Sequence, residues 1–209
     1  MTLKHILRRF TFAAGPMALL GCATPQPPTP PAPKGPAWII NVIRNERGTR
    51  EFTCVDSSLA TSFALVAFRD GHVADDTVSQ ALVHQVTAPA LLTVRTEEGR
   101  LWRETHDPAD VAAFHLRSCL RWGSVELTET PTWRACLGQT ELPALLSLYR
   151  HTGRARPAAI AAATSQLGGE SSPGAIGLMA DRVYAAPMEA DDLKIREQVL
   201  ADCLADAPQ

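Results

Sequence analysis

Apolar residues recur at helical spacing through Ser57–Arg69, where Leu59, Phe63, Val66 and Ala67 predict one buried face, with Asp56 or Ser57 as cap and Gly71 as stop. Leu142, Leu145, Leu146, Leu148 and Tyr149 repeat the pattern ahead of Gly153, and each glycine suits the left-handed residue that follows a helix. Two further stretches, DPADVAAFHLRSCL (Asp107–Leu120) and ADDLKIREQVLADCL (Ala190–Leu204), share an acidic start, apolar spacing and a closing Cys-Leu. Ile176, Met179, Val183 and Tyr184 give a helical period as well. Their counterpart, LLTVRTEEGRLWRE (Leu91–Glu104), reads in isolation as a β-hairpin about Glu98-Gly99, and the comparison tips it to helix. WIINVIR (Trp38–Arg44), rich in β-branched residues, is the candidate strand, with Ser124–Thr128 as its candidate partner.

The first residues pattern differently. Lys4, His5, Arg8 and Arg9 precede an apolar run, Phe10–Gly21, that is too short to span a bilayer, which needs about 20 apolar residues. Leu19-Leu20-Gly21-Cys22 follows, and it resembles the lipobox of bacterial (Gram-negative) lipoproteins. The resemblance covers about a tenth of the chain. It implies a signal peptide over residues 1–21, acylation of Cys22 as the mature N-terminus and, with Ala23 in place of a retention aspartate, a periplasm-facing position on the outer membrane. Several acyl chains anchor stably where one does not. RRFTF (Arg8–Phe12) also resembles part of a twin-arginine export signal, so the export route stays open. Residues 22–36 then form a tether: seven prolines and one charge, Lys34, favour extended polyproline II, with a reach of roughly 40 Å.

An exported location makes the four remaining cysteines, Cys54, Cys119, Cys136 and Cys203, candidates for two disulfides, for which three connectivities exist. An internal repeat favours one of them. Cys54 to Cys119 is 65 residues and Cys136 to Cys203 is 67. Aligned on their first cysteines, the segments match Gly71 with Gly153, Val78 with Ile160, Val94 with Ile176, Leu101 with Val183 and Trp102 with Tyr184. The expected fold is therefore mainly α: two disulfide-stapled helical lobes from an internal duplication, residues 37–121 and 136–209, joined by a connector at 122–135. Pairing Cys54 with Cys203 and Cys119 with Cys136 is the alternative. Closing a loop of this length contributes about 4 kcal/mol in the chain-entropy model. A redox Cys-x-x-Cys is lacking, so the cysteines read as staples.

Chemistry is sparse. A net charge of -2 and a pI near 6.3 supply no basic face for nucleic acid. His72, His84, His106, His115 and His151 form no metal-ligand spacing, and no cofactor pattern occurs. HDPAD (His106–Asp110) reads as a helix start with Asp107 as N-cap and Pro108 at N1. GGESSPG (Gly168–Gly174) lacks Gly-x-Ser-x-Gly and reads as a loop before a helix, while DGHVADD (Asp70–Asp76) lacks calcium-loop spacing. Asp191 and Asp192 read as the negative first turn of a helix. Trp102 and Tyr184 read as core. The expectation is a non-catalytic envelope lipoprotein, held to the membrane through Cys22, whose helical body binds a protein or cell-wall partner. A carrier of small apolar ligands and a hydrolase are the alternatives. A deep apolar pocket would favour the carrier, and a buried Ser/His or His/Asp contact the hydrolase.

Overall fold

Thr49 begins the longest of the described helices: its Oγ1 accepts the Phe52 amide at 3.2 Å, and the helix runs Arg50–Arg69 (α2). The expected start at Asp56 or Ser57 is thereby corrected. Phe52 and Val55, both buried, extend the apolar face upstream, so Cys54 lies inside the helix. The stop is as expected, with Gly71 at φ +80° and Gly153 at φ +76°.

The computed structural model describes residues 32–71, 97–128, 131–167, 172–187 and 192–207, and of residues 97–99 the backbone alone. The signal peptide, Cys22 and most of the tether lie outside the described residues, as do His72, His84, Val78, Val94, Asp191 and the first part of GGESSPG. Besides α2, the described helices are α1 (Pro36–Asn45), α3 (Glu97–Thr105), α4 (Pro108–Trp122), α5 (Pro131–Gln139), α6 (Glu141–His151), α7 (Arg156–Gln166), α8 (Pro173–Ala185) and α9 (Asp192–Asp206).

WIINVIR is helix, correcting the strand expectation. Pro36 is pre-set for the first helical turn, and Ile39, Val42 and Ile43 bury one stripe at i, i+3 and i+4. That stripe outweighs the β preference of its branched residues. The 124–128 segment does pair, but with Lys34: its amide donates to Glu126 O at 2.6 Å and its carbonyl accepts from Thr128 N at 3.0 Å, a single parallel bridge. Among the described residues no strand forms. The hairpin alternative about Glu98-Gly99 is likewise replaced by helix α3, while residues 91–96 lie outside the described ones. Asp107 caps α4 as expected, accepting from the Ala109 amide at 2.8 Å. Ser172, the described end of GGESSPG, caps α8 through the Ala175 amide.

Both disulfides pair as the intervals suggest, Cys54 with Cys119 and Cys136 with Cys203. The first clips α2 to α4, and the second clips α5 to α9. The cysteine-bounded segments nevertheless share their cores. One cluster joins α1, the first half of α2, α4, α5 and α9 through Ile39, Val55, Leu116, Trp133, Leu137 and Leu200. A second joins the latter half of α2 to α6, α7 and α8 through Phe63, Val66, Leu145, Ala159, Ile176 and Val183. Helix α2 runs through both. Trp102 is core, packed with Leu65 and Val111, and Tyr184 lies half-buried against the second cluster. The described residues from Ala32 onward belong to one compact unit.

Candidate functional site

Where α6, α8 and α9 meet α2, charged side chains enter the interior. Arg150 sits in the last turn of α6, nearly buried, and donates from Nη1 to Val183 O at 2.7 Å and from Nη2 to Ala186 O. It thus satisfies carbonyls that the C-terminus of α8 leaves unpaired. The next residue, His151, meets Asp192 Oδ2 at 2.5 Å. Asp192 opens α9 with a side chain only 1% exposed, and Arg150 Nη1 lies 4.0 Å from its other oxygen. One turn on, Arg196 donates to Leu59 O at 2.7 Å, with its guanidinium 4.8 Å from the Phe63 ring centroid. Glu197, also buried, takes Arg47 Nη2 at 2.6 Å. This cluster pins three helix ends to the midpoint of α2.

Beside it, the Tyr149 hydroxyl bonds Gln166 Oε1 at 2.7 Å and lies 3.3 Å from Asp70 Oδ1, while the Arg154 guanidinium stacks 3.9 Å from its ring centroid. Burial above all, and then the Asp70 charge, pushes the Tyr149 hydroxyl above the usual phenol range. Burial does the same to Tyr184, whose hydroxyl donates to Arg154 O at 2.8 Å.

A serine–histidine contact is also present. Ser57 Oγ and His115 Nε2 are 3.0 Å apart, half-buried between α2 and α4. Ser57 Oγ also reaches Cys54 O at 3.2 Å, so its single proton serves either that carbonyl or the imidazole. The pair sits one turn from each end of the Cys54–Cys119 bridge, and Ser58 alongside donates to Ala112 O at 2.8 Å. Together they form a polar seam that locks α2 to α4. His115 and His151 serve different contacts, so Ser57 and Asp192 do not share one histidine.

Among the described residues, Arg134 of α5 belongs to the walls of two surface clefts. One, of about 630 Å³, runs past Asp107, Glu141, Leu142, Ser172 and Met179; the other, of about 370 Å³, is lined by Leu116, Leu127, Pro131, Trp133 and Leu137. Arg134 is held in place by Asp107 and Asp110, and the hydrogen bond to Asp110, followed by the two carboxylate charges, raises its pKa above the usual guanidinium value. The larger cleft mixes polar and apolar walls. Among the described residues no group of three His, Cys, Asp or Glu is placed to hold a metal ion.

Of the residues singled out in the sequence, the four cysteines pair, Asp107 adds an ion pair to its cap, and Asp192 is drawn into the buried cluster. Arg134, Arg150, Arg196 and Glu197 carried no motif, although Arg150 inside LLSLYRH is a charge on an otherwise apolar helix. Comparison of the chain with protein-family models, with curated proteins and with solved structures finds no match.

Proposed function

We propose that the chain is a non-catalytic envelope lipoprotein, acylated at Cys22 and held on the periplasmic face of the outer membrane, whose helical body binds a protein or cell-wall partner. The observation that carries the binding role is the pair of clefts around Arg134. There a fixed guanidinium stands between polar and apolar walls, whereas Arg150, His151 and Asp192 are spent on tying helix ends together. Two disulfides in the body support an exported chain. A tandem duplication belongs to the same reading: α4 and α9 are each 15 residues long with the cysteine three residues from the end, and Gly71 and Gly153 share the left-handed conformation.

Crosslinking in intact cells tests the binding role. A photoreactive side chain at Gln139 or Met179, on the cleft walls, should capture a discrete partner, and Arg134→Glu should abolish the capture. Capture that is indifferent to Arg134 would move the binding face elsewhere. Cys22→Ala should end incorporation of labelled fatty acid; continued labelling would remove the anchor from the reading.

The Ser57–His115 contact favours a second reading, a serine hydrolase. A fluorophosphonate probe separates the two. Labelling that disappears in Ser57→Ala establishes a nucleophile, and its lack supports the structural seam.

A further inference from the structure

Trp122 closes α4 with 86% of its surface exposed, more than any other bulky apolar side chain among the described residues. It is firmly presented. Cys119, three residues earlier, is bonded to Cys54, and the chain beyond Trp122 is tied back by Gly123 N to Leu120 O at 2.8 Å and Val125 N to Leu120 O at 3.1 Å. The Arg50 guanidinium lies against Gly123, so close that a methyl group there would come within 3.3 Å of its Cζ. Arg50, Arg121 and Lys34 are exposed around this end of the body, with Glu126 exposed and Glu51 half-buried among them.

The N-terminal chain joins the body beside it. Lys34 pairs with Leu127, five residues past Trp122, so whatever holds the N-terminus draws this end towards it. A proline-rich stretch from Ala23 to Lys34 reaches roughly 40 Å at most, which keeps an anchored surface constantly within range. Indole has an apolar body and one N–H donor, and with arginine and lysine beside it suits the level of lipid headgroups better than bulk water.

We propose that this end of the body docks on the headgroups of the membrane that holds the anchor, with Trp122 inserted and Arg50, Arg121 and Lys34 beside the phosphates. The inference rests on acylation at Cys22. It has a geometric consequence for the clefts: α4 carries Asp107 and Asp110, the partners of Arg134, at its opposite end, about 20 Å away along a 15-residue helix. Docking through Trp122 therefore turns the larger Arg134 cleft away from the membrane, towards a partner in the periplasm, while the smaller one, lined by Leu127, runs back towards the docked end.

The mature chain, purified with its N-terminal modification and reconstituted into phosphatidylethanolamine/phosphatidylglycerol vesicles, tests this by tryptophan emission with and without brominated lipid. In a Trp38→Phe background, brominated lipid should lower the emission of the chain and leave that of the further variant Trp122→Ser unchanged, because the remaining Trp102 and Trp133 are buried. The exposed position of Trp122 keeps the variant folded. Mass measurement of the N-terminal peptide scores the anchor separately. An acylated chain whose emission ignores bromine overturns the docking and leaves the anchor standing. If the chain proves unacylated, the anchor reading fails, and the same vesicles added to the soluble chain decide the docking: quenching upholds it, and unchanged emission overturns it. Trp122 shielded from acrylamide but untouched by bromine is covered by protein, which also overturns it.

Discussion

Asp192 and Arg134 show how differently charge is used at the scale of a residue. Asp192 is buried with His151 and Arg150 as neighbours, so Asp192→Ala strands the Arg150 guanidinium in the interior and should cost about 3–5 kcal/mol in urea unfolding. Arg134 is 59% exposed, and Arg134→Ala should change stability by about 1 kcal/mol or less, because exposed ion pairs are screened by water and salt. That contrast makes Arg134 a clean probe of binding: its variant should lose the partner while its unfolding midpoint stays put. Tyr149 supplies a pH signature. Its hydroxyl pKa is raised by burial and Asp70, so folding favours the neutral form. The stabilisation is fully present below the unfolded value of about 10 and is lost as pH climbs through the raised folded value. Stability should therefore fall above about pH 10, and Tyr149→Phe should flatten that part of the fall when urea midpoints are plotted against pH.

Among elements, start signals decide more than propensities. Helix α2 begins at Thr49 because a hydroxyl there meets the Phe52 amide, and Thr49→Ala should cost about 1 kcal/mol, read from thermal or urea unfolding. An unchanged midpoint would mean that the Cys54–Cys119 bridge alone fixes that helix end. Asp107 and Pro108 were legible as a helix start because both act through the local backbone. WIINVIR misled, since four β-branched residues out of seven speak for a strand only while the partner surface is unknown. Once α9 and α2 present apolar walls, the i, i+3, i+4 stripe of Ile39, Val42 and Ile43 buries completely as helix.

For the molecule as a whole, each disulfide closes a loop of nearly the same length, 65 and 67 residues, so each should contribute about 4 kcal/mol by restricting the unfolded chain. Replacing Cys54 and Cys119 with serine, or Cys136 and Cys203, should lower the unfolding free energy by similar amounts. A large difference between the two pairs would show that they act on the native packing rather than on the unfolded chain. Because both clusters draw on α2 together with later helices, the loss of either bridge should weaken one cooperative transition rather than release a separately melting lobe. Calorimetry showing two resolved transitions would contradict that coupling.

What the sequence determined by itself is what acts over a few residues or by counting along the chain. The helical periods of α2, α6 and α9, the cap at Asp107, the left-handed glycines at 71 and 153, and the choice of cysteine partners all belong to this class. Tertiary structure alone decided the rest. Arg150, His151, Asp192 and Arg196 are separated by up to 46 positions and become one cluster only because α6 ends where α9 begins, against α2. Arg134 stands between two clefts for the same reason, since α5 packs where α4 begins. Burying a charge requires partners supplied by several helices at once, and no spacing along a single helix encodes that meeting.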